Sequence, residues 1–496
     1  MSDPTESREP PGPALDLERR AARGGVTVAV AQVARGLVEA VGVLVLSRAL
    51  TPADFGLVDM IVSVTGIIDQ LKDFGLGTAL IQRPHIDERQ INALFWISTA
   101  IGAGLTLVVA ACAPLIAIGY ERPELLQLTL ALSLSTLLGA LSLQQQALLK
   151  RALRFGALSV IDVVSGAAGI GAAIAGAYAH WGPWALVARQ LVRLFVQAVM
   201  TWAWCSWRPS RPAGADQLGE LLRFGGHMSG YQVLNYMERN LDNVLIGRFA
   251  GAQQLGFYAK AYELMRLPLT AINAPIATVA VPALSRLIDA PERYRKAYLS
   301  VTRLLLLVTV PLGPLMIFSA DALIPLVLGE AWRGCVPILQ VMALALFVKP
   351  LLFTTSWLFI SQGRSADMFR WGMIGGVIAL ISFVVGLPWG AFGVAVSFTA
   401  FDLLLRAPIL LWMTGRTGHV RVPDLLRCLV PAWTVALPMC AAYGAVSYGW
   451  HVDAKLKLAV GLPLSLAVGA LVAWLTPWGN AALREGLAML QALKKR

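Results

Sequence analysis

The chain has 496 residues, of which 57% are hydrophobic and only 14% charged, whereas soluble domains run near ~45–50% apolar and ~25% charged. With a mean hydropathy of +0.65, this composition excludes a soluble enzyme, a disordered chain and a DNA-binding domain. The net charge of +12 would suggest nucleic acid in a soluble protein, but basic cytoplasmic loops account for it in a membrane protein.

Residues 1–23 are polar, carry Pro10, Pro11 and Pro13, and read as a disordered cytoplasmic tail. No short apolar core precedes a small-residue cleavage site there, so they are not a signal peptide. Beyond them, a bilayer core of ~30 Å takes ~20 helical residues per crossing. Apolar runs and their polar breaks then predict fourteen spans. Six lie at 25–47, 56–80, 91–118, 124–148, 157–179 and 183–205, filling a first lobe at 24–205. The segment "SWRPSRPAGADQLGELLR" (206–223), rich in Pro, Gly and charge, reads as a cytoplasmic linker. A second lobe at 224–413 holds spans 224–247, 256–284, 298–319, 336–360, 369–387 and 391–413. The split near residue 388 rests only on "GLPWGAFG". Two further spans, 427–447 and 456–476, lie within 424–476, and 477–496 is a second cytoplasmic tail.

Orientation follows from the basic residues. With the N-terminus inside, the cytoplasmic connectors, tails and adjoining span ends hold 25 of the 41 Lys and Arg, against 6 on the other side. Both termini are therefore expected in the cytoplasm. No outer connector is long enough for a folded domain that could carry chemistry.

Metal and nucleotide motifs are absent. Cys112, Cys205, Cys335, Cys428 and Cys440 are scattered and odd in number, which argues against a disulfide framework or a metal site. The five histidines form no HExxH pair, and no lysine follows a glycine, so there is no Walker A loop. The expectation is no metal, no cofactor, no catalytic residue and no ATP hydrolysis by this chain.

An internal repeat appears at an offset of 200: Gly25 falls on Gly225, Gln32 on Gln232, Val33 on Val233, Arg48 on Arg248 and Gly56 on Gly256. The coincidences of Arg and Gly lie in short polar breaks rather than in apolar runs. Six spans separate the copies, so they share an orientation, as parallel repeats related by an axis along the membrane normal do. The predicted fold is thus all-α and polytopic: about fourteen transmembrane helices in two six-helix lobes related by a parallel pseudo-two-fold, plus a C-terminal pair.

The repeat copies also carry a family resemblance. "SRALTPADFGLVDMIVSVTGIIDQLKDFGLGTALIQRP" (47–84) and "NYMERNLDNVLIGRFAGAQQLGFYAKAYELMRLP" (235–268) resemble the signature stretches of Wzx-type polysaccharide flippases. These belong to the multidrug/oligosaccharidyl-lipid/polysaccharide exporter superfamily, and the colanic-acid exporters are the most similar in style. The resemblance implies movement of undecaprenyl-diphosphate-linked oligosaccharide across the cytoplasmic (inner) membrane by alternating access, for surface polysaccharide biosynthesis. It also implies possible partners in a polysaccharide polymerase and a chain-length regulator, and no nucleic acid. A multidrug/cation antiporter of the same superfamily is the alternative, followed by a membrane polymerase or ligase on the same lipid carrier and a peptidoglycan-precursor flippase.

Ionisable groups inside spans are costly and need partners or an aqueous cavity. Ten bases and nine acids fall within the predicted spans, apart from those at the span ends. Arg35 and Glu39 are four apart on one face, as are Asp402 and Arg406, and Glu238 and Asp242 flank Arg239. Arg189 and Arg193 differ, being four apart with no acid in their own span. A lipid diphosphate would satisfy both through bidentate contacts, while snorkelling or pairing with Asp162 are the alternatives. On the implied substrate, Arg35, Arg189, Arg193, Arg239 and Lys349 are expected to line a cationic central cavity between the halves. Glu39, Asp162, Glu238 and Asp242 are the candidate coupling or partner acids.

Overall fold

The computed structural model describes residues 13–72, 87–210, 236–237, 239–449, 454–477 and 479–480. Among these, every regular element is helical. The expected tails at 1–12 and 481–496, most of the linker 206–223, the end of the second span (73–80) and the start of the seventh (224–235) lie outside the described residues.

Helix α1 (Pro13–Ala49) begins inside the stretch expected to be a tail. Its first turns, "ALDLERRAAR", are dense in Ala, Leu, Glu and Arg, the strongest helix formers, and that propensity outweighs their polarity. Helix α2 (Pro52–Lys72) opens on proline, whose missing N–H is one the first turn leaves unpaired anyway. Then come α3 (Glu88–Gly119), α4 (Glu124–Arg151), α5 (Phe155–Tyr178) and α6 (Pro183–Trp204). Helix α3 and α4 form one hairpin and α5 and α6 another, with α1 packed on α5. Residues 239–250 form α7, followed by α8 (Ala252–Ser285), which runs through Pro268, Pro275 and Pro282.

The chain divides into two compact units: residues 1–51 with 60–239, and 52–59 with 240–496. The division falls within the seventh span, and the first turns of α2 belong with the second unit.

Three expected spans of the second unit are not single regular helices. The ninth is split into α9 (Pro291–Thr309) and α10 (Leu312–Val327), because Pro311 cannot donate the hydrogen bond that continuity needs. The tenth is α11 (Cys335–Leu344) and α12 (Lys349–Ser361), bent by 50° where Pro350 disfavours helical backbone before it. The twelfth passes from α14 (Gly390–Phe401) through a π-helical turn at Asp402–Arg406 into α15 (Ala407–Arg416). The split near 388 is real: α13 (Ser365–Gly386) and α14 form a hairpin around Gly390, whose φ of +66° suits glycine. Helices α16 (Val422–Gly449) and α17 (Ala454–Leu475) close the chain as an adjacent pair. A core of Tyr294, Tyr298, Leu306, Leu351, Trp357 and Leu425 joins α9, α12 and α16. Its buried hydroxyls are satisfied locally, Tyr294 with Ser361 at 2.5 Å and Tyr298 with Thr354 at 2.8 Å.

Among the described residues, eight helical runs are long and apolar enough to cross a membrane, and the bent pair gives a ninth. One of these runs, Ser365–Arg416, contains the hairpin at Gly390 and so holds two of the expected spans. Helices α1, α2 and α6 miss that threshold. They are helices in which charged side chains interrupt the apolar run, among them Arg35, Glu39, Asp59, Asp69, Arg189 and Arg193.

The repeat has a physical counterpart within the second unit. A Cβ on Gly56 would lie 1.8 Å from the Ala252 carbonyl oxygen, and a Cβ on Gly256 would lie 2.0 Å from the Pro52 carbonyl oxygen. All four residues correspond pairwise at the offset of 200. Two helix starts thus cross backbone to backbone, each copy supplying the glycine that admits the other. Small residues spaced by four are the usual means to such an approach.

Candidate functional site

The first unit gathers three of the five predicted bases. Arg35 on α1 donates from Nη1 to Asp162 Oδ2 on α5 at 2.7 Å. Arg193 on α6 places Nη2 3.7 Å from Asp162 Oδ1, so one carboxylate lies between two guanidinium groups. Arg189, one turn earlier on α6, donates to Glu39 on α1. The expected pairing of Arg35 with Glu39 along α1 is therefore replaced by cross-helix pairs. The reason is packing: α5 contacts both α1 and α6, so partners on other helices compete successfully with the neighbour four residues away.

Glycine sets the approach. A Cβ on Gly169 of α5 would meet the Arg189 carbonyl oxygen at 2.6 Å and Arg193 Cβ at 2.9 Å. The absence of a side chain there lets α6 lie close enough for Arg193 to reach Asp162, two turns away on α5. Arg193 is the eleventh residue of α6, ~15 Å along a helix rising ~1.5 Å per residue. That is about half of a ~30 Å hydrocarbon core.

The cluster is neither sealed nor balanced. Side chains of Arg189 and Arg193 are each 29% exposed and that of Arg35 is 46% exposed. Three guanidinium groups face two carboxylates, leaving one positive charge in surplus. Arg193 Nε is buried with no hydrogen-bond partner among the described residues. An anion reaching this site would meet three partly exposed guanidinium groups, the side chain best able to make bidentate contacts.

Lys349 belongs to a separate cluster in the second unit. It is the first residue of α12, just past the break inside the tenth span. Its Nζ lies 3.6 Å from Asp402 Oδ2, while Arg406 Nη1 lies 3.4 Å from Asp402 Oδ1. Phe398 stacks under both cations, 5.0 Å from Lys349 Nζ and 5.7 Å from the Arg406 guanidinium. Asp242 is buried and accepts from Tyr258 Oη at 2.9 Å and from Asn243 N at 2.8 Å. Arg239 is exposed on α7 and forms no ion pair with a described residue, and Glu238 lies outside the described residues.

The Asp402–Arg406 pair was legible as an i,i+4 spacing, but its union with Lys349 was not. A second lysine centre was only partly legible. Lys260 pairs with Glu263 at 2.7 Å as the spacing suggests, and also lies 5.0 Å from the ring of Phe55 and 6.0 Å from that of Trp332. Among the described residues, no group of three or more His, Cys, Asp or Glu could hold a metal ion.

Long apolar helices in two units, with charges paired across helices inside them, define a polytopic membrane protein of transporter architecture. The solved structure of "Lipid II flippase MurJ, inward closed conformation" has the same fold, with a TM-score of 0.72 at 13% identity, covering 90% of this chain and 98% of that one. Residues 45–337 match the family described as "Polysaccharide biosynthesis protein", and the chain belongs to that family. It is 27% identical to the teichuronic acid biosynthesis protein TuaB of Bacillus subtilis, over 80% of this chain and 83% of that protein. The lipopolysaccharide biosynthesis protein WzxC of Escherichia coli is 25% identical over 73% and 74% of the two chains. The succinoglycan biosynthesis transport protein ExoT of Rhizobium meliloti is 24% identical over 92% of each. The family agrees with the resemblance carried by the two repeat stretches.

Proposed function

We propose that this protein is a flippase that moves undecaprenyl-diphosphate-linked oligosaccharide repeat units across the cytoplasmic membrane, by alternating access, for surface polysaccharide biosynthesis. It is a transporter and not an enzyme. The observation that carries the reading is the arginine cluster of α1 and α6, with its surplus positive charge half-way along its helices. A pyrophosphate entering hydrocarbon unescorted faces a prohibitive desolvation cost, and fixed bases near mid-membrane remove most of it. Family membership supports the polysaccharide substrate, and the flippase fold supports the lipid-borne form. The basic excess of the inner connectors supports cytoplasmic termini and the inner membrane. A polysaccharide polymerase and a chain-length regulator are the partners this role calls for.

Arg35, Arg189 and Arg193 are assigned to the diphosphate, with Glu39 and Asp162 holding them in place between transport events. Lys349 serves the second unit's own ion network. Replacing Arg189 and Arg193 together by Ala should abolish surface polysaccharide while protein level and membrane insertion stay normal. The double Lys variant should retain part of the export, because charge survives while the planar fork is lost. Full export by the double Ala variant at normal abundance would overturn the assignment.

A further inference from the structure

A polar cavity lies in the first unit, lined by none of the residues of the arginine cluster. It has a volume of about 280 Å³ and sits between the start of α3 and the extended chain that follows α6. Arg89, Asn92, Trp207, Arg208 and Ser210 line it, together with one acid, Glu88. Its wall is held rigidly: Asn92 Oδ1 accepts from Ser210 N at 2.8 Å, and Trp96 Nε1 donates to the Ser210 carbonyl at 2.8 Å. Phe95 anchors Trp96, Trp202 and Trp207 edge-on at 5.5, 5.8 and 5.7 Å.

The donors around the cavity are unequally used. Trp96 and Trp202 each give their indole N–H to a backbone carbonyl. Arg208 spends Nη1 on the carbonyls of Cys205 and Trp207 and stacks over Trp202. By contrast, the Trp207 indole N–H and the whole Arg89 guanidinium donate to no described residue, and both residues line the cavity. Two arginines against one glutamate, with an uncommitted indole N–H and rigid walls, form a receptor for a compact anion with several acceptor oxygens. The tryptophans around it are the side chains that gather at membrane–water interfaces. The basic-residue count assigns this end of the helices to the cytoplasm.

We infer that this cavity binds the phosphate ester of an inner-leaflet anionic lipid headgroup, at a site distinct from the transported substrate. Arg89 and Arg208 supply charge, and Trp207 supplies a directed N–H while its ring lies along the first acyl carbons. A soluble phosphate ester offers the same oxygens but leaves the aromatic wall uncovered.

The test uses the full-length chain, delipidated in a neutral detergent, and native mass spectrometry to follow retention of phosphatidylglycerol. Glycerol 3-phosphate is the soluble competitor. Arg89→Ala removes a side chain with no partner among the described residues and should weaken lipid retention about tenfold. Trp207→Phe keeps the packing on Phe95 and should weaken it about threefold. Arg122→Ala, at an exposed pair with Glu124, should change nothing. Equal retention by the wild type, Arg89→Ala and Trp207→Phe would overturn the site. Displacement of the lipid by an equal concentration of glycerol 3-phosphate would overturn the lipid assignment.

Discussion

Asp402 shows how a single residue can organise charge inside a membrane protein. Its side chain is 7% exposed and faces two cations that are themselves only 15% and 14% exposed. Replacing it with Asn keeps its shape and removes the carboxylate that Lys349 and Arg406 share. Breaking a buried ion network in this way costs about 3–5 kcal/mol, so Asp402→Asn should lower the melting temperature of the detergent-solubilised protein by several degrees. Adding Lys349→Met removes one of the two cations that faced that carboxylate and should recover part of the loss. A double variant no more stable than the single one would show that Asp402 does not act through charge balance. The arginine cluster follows the same logic with less burial, which is why it is the better place for a ligand. Its arginines are held by carboxylates yet still open to an incoming anion.

At the scale of elements, glycine decides which helices touch. Gly56 and Gly256 face the carbonyls of Ala252 and Pro52 so closely that even a methyl group has no room. Backbone cannot yield as a flexible side chain can, so Gly56→Ala and Gly256→Ala should each reduce thermal stability by about 1–3 kcal/mol. Larger residues there should abolish surface polysaccharide. Gly104 of α3 is the internal control, because a Cβ there meets nothing within 4 Å. Gly104→Ala should leave export unchanged and match or exceed the wild-type melting temperature, since alanine restrains the unfolded chain. A harmless Gly56→Leu would refute the crossing. Proline acts on elements differently. Pro311 interrupts a span and Pro350 bends one, whereas α8 accommodates three prolines within one helix.

For the whole molecule, the imbalance of 25 basic residues against 6 is the strongest global signal. Reporter fusions after residues 120, 250 and 450 should report the outside, and fusions after 150, 290 and 420 the cytoplasm. A cytoplasmic signal at 250 would break both the topology and the repeat, since the two copies must share orientation. Without a nucleotide loop the purified chain should move its substrate in proteoliposomes with no ATP, and ATP-dependent flipping by this chain alone would contradict the proposal.

The all-helical class, the existence of the spans, the repeat and the family were legible in the sequence, because each rests on local signals. Apolar run length sets a crossing, polar breaks end it, and two stretches at an offset of 200 carry shared Arg and Gly. Even the hairpin at Gly390 was visible in "GLPWGAFG". The sequence also marked Arg35, Arg189 and Arg193 as costly charges, paired Arg35 with Glu39 along its own helix, and offered Asp162 as one alternative partner for Arg189 and Arg193. Tertiary structure decided that Asp162 sits between Arg35 and Arg193, that Glu39 turns to Arg189, and that Lys349 and Arg406 share Asp402. Those outcomes depend on which helix faces stack and how closely glycine lets them approach. They are properties of packing in three dimensions, and no periodicity along one chain encodes them.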